Sequence, residues 1–233
     1  VYGSMAAHLL GIPVINNIAG LGSVFIKGGW QAKLVRKLYR LGLSRSSTVF
    51  FQNNDDRQQF ISEKIVHAEK TGLLPGSGID LRKFSALSSP EQTSEQKPFR
   101  FILIARMLWD KGVGEYVEAA GLLKEQGLNA DVCLLGFVDV QNPSAISKSQ
   151  MDAWTNQGFV HYLGSSDDVR KEISTADCVV LPSYREGTPR ALLEAASMAR
   201  PIITTNSIGC RDVVDHGING FLCQPKNPLS LNL

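Results

Sequence analysis

Short runs of consecutive branched and aromatic apolar residues recur along this chain, and stretches of helical periodicity separate them. The clearest are residues 99–105 (FRFILIA), 131–136 (DVCLLG) and 178–182 (CVVLP). Residues 47–52 (STVFFQ) and 201–205 (PIITT) repeat the pattern in shorter form. A strand that is apolar at nearly every position must be covered on both faces. Such strands, alternating with helices, require parallel sheets with helices packed on either side. The spacing predicts strands at 12–18 and 47–52, with helices over 30–43 and from 55 to 62. Further on it predicts strands at 99–105, 131–136, 160–163, 178–182 and 201–205. The intervening helices fall at 112–126, 150–157, 167–175 and 189–198. The fold class is therefore α/β, doubly wound. Residues 85–98 turn to Ser, Gln, Glu, Pro and Lys without apolar periodicity, a surface connection. This divides the chain into a first domain, 1–84, a linker, 85–98, and a second domain, 99–233. The start on Val1 and the stop soon after Phe221 and Leu222 read as a fold cut at both ends.

Composition narrows the class. The hydrophobic share is 43% and the charged share 20%, as in ordinary soluble globular proteins. No apolar run approaches the ~20 residues that cross a bilayer. Cys133, Cys178, Cys210 and Cys223 form no CxxC pair and read as reduced core thiols of a cytoplasmic protein. His8, His67, His161 and His216 fall singly, so no metal site is expected. The net charge of +2 hides an asymmetry: residues 1–54 carry Lys27, Lys33, Arg36, Lys37, Arg40 and Arg45 and no acidic residue.

Ligands of doubly wound sheets bind beyond the carboxyl ends of the strands, so the residues after each strand matter most. Residues 184–194 read YREGTPRALLE. A strand ends near Pro182, and a helix is expected from Pro189, the favoured first helical position, with Thr188 placed to cap it. The unpaired N–H groups of Arg190, Ala191 and Leu192 favour an anion there. Glu186 and Glu194 flank this pocket, placed to accept hydrogen bonds from sugar hydroxyls. Seen alone, the same residues also fit a capped surface helix with incidental glutamates. Residues 105–112 (ARMLWDKG) likewise follow a buried strand, and Arg106 and Lys111 emerge on the same sheet edge. Two fixed cations there could neutralise a departing diphosphate.

Together these features resemble the retaining glycosyltransferases of family 4. The resemblance rests on Arg106, on Lys111-Gly112, and on Glu186 and Glu194 with seven residues between. It also rests on Gly209-Cys210-Arg211 with residues 217–221 (GINGF), on residues 75–80 (PGSGID), and on Phe51-Gln52-Asn53 with Asp56. The nearest likeness is to bacterial members that elongate lipid-linked glycans for surface polysaccharide or glycoprotein, which often carry a segment like Gly20-Leu21-Gly22. The resemblance implies the GT-B fold, two Rossmann-like domains facing a cleft. It implies a UDP-sugar donor, a lipid-linked saccharide acceptor, and no cofactor or metal. Arg106 and Lys111 would hold the donor diphosphate, and Glu186 with Gly187-Thr188-Pro189 would meet the transferred sugar, these three charged residues forming the catalytic set. Glu194 would bind the ribose, and Arg190, Ala191 and Leu192 would line the phosphate. His161, Tyr162 and Leu163 would lie against the base mostly through backbone, with Gly136 leaving room for the nucleotide. Gly20, Leu21 and Gly22 would form the acceptor-side loop. Ala19 stands where many family members have a histidine, so no catalytic histidine carries over.

In residues 30–43, Trp30, Leu34, Leu38 and Leu41 form one apolar stripe, with Lys33, Arg36, Lys37 and Arg40 on the remaining surface. Two readings fit: a helix packed on its own sheet, or a peripheral contact with anionic lipid at the inner face of the cytoplasmic membrane. No basic–aromatic pattern points to nucleic acid. The expected function is transfer of a hexose or N-acetylhexosamine from the UDP-sugar to the lipid-linked acceptor. A UDP-sugar epimerase or hydrolase of the same fold, and a non-catalytic nucleotide-sugar binding module, remain as alternatives. No GxGxxG follows a strand, which disfavours a dinucleotide oxidoreductase.

Overall fold

The computed structural model describes residues 1–22, 25, 28–86 and 97–231. Most of the expected linker, along with Lys27, lies outside these residues. The chain forms two compact units: Val1–Gly78 with Arg185–Pro189, and Ile79–Tyr184 with Arg190–Leu233. Residues 79–84 thus belong with the second unit, although composition groups them with the first. The reason is packing: Phe84 is buried in the second unit's core, and the Ser197 hydroxyl donates to its carbonyl.

In the first unit, β1 (Ile15–Ile18), β2 (Thr48–Phe51) and β3 (Thr71–Leu73) form a parallel sheet in that order. Among the described residues, the helices α1 (Tyr2–Leu9), α2 (Gly29–Leu43) and α3 (Asn54–Ser62) accompany it. Asn53 caps α3 through its side-chain oxygen, which accepts from the N–H of Asp56, and Asp55 and Asp56 complement the helix dipole. The core gathers Ile18, Leu43, Val49, Phe51, Phe60 and Ile65. Phe60 meets Phe51 and Tyr39 edge-on, at 5.1 and 5.3 Å between ring centroids.

The apolar stripe on α2 is not what seats this helix. Its buried residues are Ala32, Gly42 and Leu43, and Gly42 lies directly against Val1. Trp30, Leu34 and Leu41 stay 72%, 49% and 51% exposed. The helix docks through Leu43 and the small residues Ala32 and Gly42, which let it approach closely, and this turns most of the larger stripe outward.

The second unit has six parallel strands: β4 (Phe99–Ile104), β5 (Ala130–Leu135), β6 (His161–Tyr162), β7 (Cys178–Leu181), β8 (Ile202–Thr205) and β9 (Gly220–Cys223). Their order is β6-β5-β4-β7-β8-β9, so the chain steps outward one way from β4 and then returns to build outward the other way from β7. Alternate residues feed two cores. Leu103, Val132, Leu134, Val180 and Ile203 meet α4 (Val113–Glu125) and Met151 of α5 (Lys148–Asn156). Ile102, Cys133, Leu135, Val179, Leu181 and Ile202 meet Ile173 of α6 (Arg170–Thr175) and Leu192 and Ala195 of α7 (Arg190–Ser197). Both faces are covered, which accounts for the continuous apolar runs. All four cysteines are buried free thiols, and burial pushes Cys223 up to about 11 and Cys178 up to about 12. No described helix is long and apolar enough to cross a membrane.

Candidate functional site

The reversal of strand order lies between β4 and β7. At such a switch point the adjacent loops leave the sheet in opposite directions and open a crevice at the carboxyl edge. The loop after β4 is pinned by backbone bonds: the N–H of Ala105 donates to Leu135 at 3.1 Å, that of Met107 to Phe137 at 2.9 Å and that of Ile146 to Met107 at 3.0 Å. Met107 is fully buried while its neighbour Arg106 is exposed, so the loop anchors on one side chain and presents the next. A single turn, Trp109–Lys111, then brings Lys111 to the start of α4. The two exits are tied together. The N–H of Tyr184 and the hydroxyl of Ser183 both donate to the carbonyl of Asp110, at 3.0 and 3.2 Å.

Helix α7 starts beyond the β7 exit, and no acidic residue occupies its first turn. Its leading N–H groups, including those of Ala191 and Leu192, have no partner within the helix and carry partial positive charge. Glu194 sits one turn in and is buried, with its carboxylate 3.2 Å from the exposed Arg190 guanidinium. Burial raises the Glu194 carboxyl above its ordinary value, and Arg190 and Lys83 offset part of that shift. A carboxylate held this way is poised to accept hydrogen bonds rather than to act as a solvated charge.

Two further groups at this edge escape a motif search. The Tyr184 hydroxyl donates to Glu115 of α4, and Lys226 lies 4.9 Å from the Tyr184 ring. Burial, followed by the Glu115 contact, raises the Tyr184 phenol. The carbonyl of the fully buried Ser183 accepts from Thr205 and Ser207. The signal for this cluster in the sequence is the hydroxyl-rich end of β8, Thr204 and Thr205, with Ser207 just beyond it.

Arg185–Pro189 packs with the first unit. The Asn53 amide donates to the carbonyls of Glu186 and Gly187, at 3.4 and 3.2 Å. Arg185 pairs with the fully buried Asp56 and also donates to Gln59 at 2.8 Å. A Cβ on Gly187 would lie 2.0 Å from the carbonyl oxygen of Ala19, so only glycine fits. Thr188 departs from the expected capping role. Helix α7 begins at Arg190, and both the N–H and the hydroxyl of Thr188 reach Gln52 instead. Gly20 lies close to Gly187, and Gly22 is exposed. Leu21 belongs to the first unit's core at 6% exposure, so its side chain is a packing group.

The nucleotide-side residues divide. Gly136 ends β5 with φ 148°, and a Cβ there would fall 1.7 Å from the Ala105 carbonyl oxygen. Its N–H donates to Gly164 at 2.7 Å and its carbonyl accepts from the Tyr162 hydroxyl at 2.7 Å. Leu163 is 39% exposed beside them. These residues share the carboxyl edge. The His161 ring does not: its Nδ1 lies 2.7 Å from Asp131 Oδ1, near the start of β5. Strand β6 is only two residues long, so His161 is tied toward the amino edge while Tyr162 reaches the other.

Residues 86–232 match the family described as Glycosyl transferases group 1. Over 99% of its length the chain is 32% identical to an N,N'-diacetylbacillosaminyl-diphospho-undecaprenol alpha-1,3-N-acetylgalactosaminyltransferase of Campylobacter jejuni, covering 62% of that protein. Over 96% it is 28% identical to a UDP-Gal:alpha-D-GlcNAc-diphosphoundecaprenol alpha-1,3-galactosyltransferase of Escherichia coli, covering 59% of that protein. The chain thus spans about three fifths of the length of these relatives. Among solved structures, Anabaena HepE in complex with UDP-glucose superposes with a TM-score of 0.80 at 21% identity, covering 99% of this chain and 63% of that one. Sucrose-phosphate synthase of Thermosynechococcus elongatus superposes at 0.79 with 19% identity, covering 98% and 60%. These likenesses show the fold, the parallel-sheet α/β type of the GT-B glycosyltransferases. By the family match across most of its length, the chain belongs to the glycosyl transferases of group 1.

Proposed function

We propose that this protein transfers a hexose or N-acetylhexosamine, with retention and without a metal, from a UDP-sugar to a lipid-linked saccharide acceptor in surface-glycan synthesis. One observation carries the reading. Arg106, Lys111 and the start of α7 with Glu194 all occupy the carboxyl edge of the second unit's sheet, where the strand order reverses. Arg106 and Lys111 hold the donor diphosphate, with the N–H groups of Ala191 and Leu192 beside it. Glu194 accepts from the ribose, and Gly136, Tyr162 and Leu163 border the base. Glu186 with Gly187, Thr188 and Pro189 meets the transferred sugar.

The bond from the sugar's anomeric carbon to the diphosphate breaks as a bond to the acceptor oxygen forms on the same face. The departing phosphate oxygen takes the acceptor's proton. Fixed cations and a helix start stabilise the charge that develops there, a contribution of several kcal/mol. Glu186 and Glu194 serve as ligands and form no covalent intermediate. The Campylobacter and Escherichia relatives, both named for diphospho-undecaprenol-linked acceptors, support the acceptor class. The exposed Trp30, Leu34 and Leu41 beside the exposed Lys33 and Lys37 support a peripheral contact of α2 with an anionic cytoplasmic membrane face.

The test is a transfer assay with a chelator present. Radiolabelled UDP-N-acetylgalactosamine and UDP-galactose are offered with short undecaprenyl-diphosphate saccharides. Label appearing in the lipid fraction with the anomeric configuration of the donor supports the reading. Free sugar or an epimer formed regardless of acceptor refutes it in favour of a hydrolase or epimerase.

A further inference from the structure

At the amino edge of the second unit's sheet, the fold gathers residues that the sequence scatters. Asp131 and Cys133 are two apart on β5 and so share a face. His161 on β6 is directly opposite Cys133 in register. One ligand atom from each, a carboxylate oxygen, a thiol sulfur and a ring nitrogen, lies within 4.8 Å of the other two. Cys133 is 1% exposed, whereas the His161 side chain is 71% exposed, so the cluster has a buried floor and an open side. The surroundings combine one guanidinium, Arg100, which also acts on the Cys133 thiol, with an excess of carboxylates. Arg100 stands among three carboxylates: Asp131 at 3.6 Å, Glu172 at 3.1 Å, and Asp177, which accepts from its backbone N–H at 2.8 Å. Arg100 Nε is buried without a hydrogen-bond partner, so its hold on Asp131 is only this longer approach.

We propose that Asp131, Cys133 and His161 bind a borderline-soft divalent cation of the zinc class. Thiolate, imidazole and carboxylate together are the donor set such ions select, and calcium and magnesium disfavour it. Around a tetrahedral ion with bonds of about 2.0–2.3 Å, ligand atoms stand roughly 3.3–3.8 Å apart. The His161 and Asp131 atoms stand 2.7 Å apart and all three lie within 4.8 Å, so small side-chain rotations reach that separation. On binding, the metal–sulfur bond replaces the thiol S–H bond and the proton passes to solvent. His161 donates a neutral ring nitrogen, and water fills the fourth position on the open side. The site clamps β6 to β5 at the opposite end of the strands from the sugar-nucleotide edge, and it does not depend on the proposed transfer reaction.

The probe is Co2+ added to metal-stripped protein, read by absorption. The expected result is a thiolate-to-cobalt charge-transfer band in the near ultraviolet with visible bands of a tetrahedral centre, saturating at one equivalent and displaced by Zn2+. His161→Ala removes an exposed ring and should keep the fold. It should weaken binding more than about 100-fold, beyond the cost of losing an outer partner. Cys133→Ser should abolish the charge-transfer band, and Cys210→Ser should leave it intact. Zn2+ should raise the melting temperature of the parent protein and leave that of His161→Ala unchanged. No spectral change at one equivalent, or a band that persists in His161→Ala, overturns the proposal.

Discussion

Burial holds the Glu194 carboxyl above its ordinary 4.5, with Arg190 working against the shift. The folded protein therefore binds this proton more tightly than the unfolded chain does. The stability it contributes is present at low pH and is lost as pH rises through its folded value. Glu194→Gln should flatten that fall, leaving the variant at least as stable as the parent at pH 7 in urea titrations. The same variant should bind UDP more weakly if the carboxylate accepts from the ribose. Asp56 poses the reverse problem. It is fully buried and pairs with Arg185, so Asp56→Ala removes the carboxylate that balances a largely buried guanidinium. Chemical denaturation should show a loss of about 3–5 kcal/mol.

Elements differ in how openly their sequences announce them. Strands β4, β5, β7 and β8 were legible because burial on both faces makes each a continuous apolar run. Strand β9 was not, since it opens on Gly220 and leaves Phe221 47% exposed, as an edge strand can. Helix α2 was legible as a helix but not in its orientation, because the period of a stripe says nothing about which face meets the sheet. Ala32, Gly42 and Leu43 decide that. Replacing Leu34 and Leu41 by Ser should therefore change stability by no more than about 1 kcal/mol. If α2 lies on anionic lipid, the same pair should lower partition onto phosphatidylglycerol vesicles at least about tenfold in flotation assays. At the turn after β5, the near contact between Gly136 and Ala105 leaves no room for a side chain. Gly136→Ala should cost about 3–5 kcal/mol, measured by thermal unfolding.

For the whole molecule, the position of the motif residues on the loops after β4 and β7 was legible, since motif residues and strand ends are both local signals. The sequence did not reveal that residues 185–189 pack with the first unit, held by Gln52, Asn53 and Asp56 more than a hundred positions away. Nor did it reveal that His161 meets Asp131 rather than the carboxyl edge. Both are contacts between distant segments, which no local period encodes. In the proposed reaction the carboxyl edge at the β4/β7 reversal binds a nucleoside diphosphate through Arg106, Lys111 and Glu194. Isothermal titration of UDP in the presence of EDTA tests it most directly. One site per chain is expected, weakened at least about tenfold by Arg106→Ala and by Glu194→Ala, with a larger loss at higher salt for the parent than for Arg106→Ala. Absence of UDP binding, or equal affinity in the parent and both variants, would contradict it.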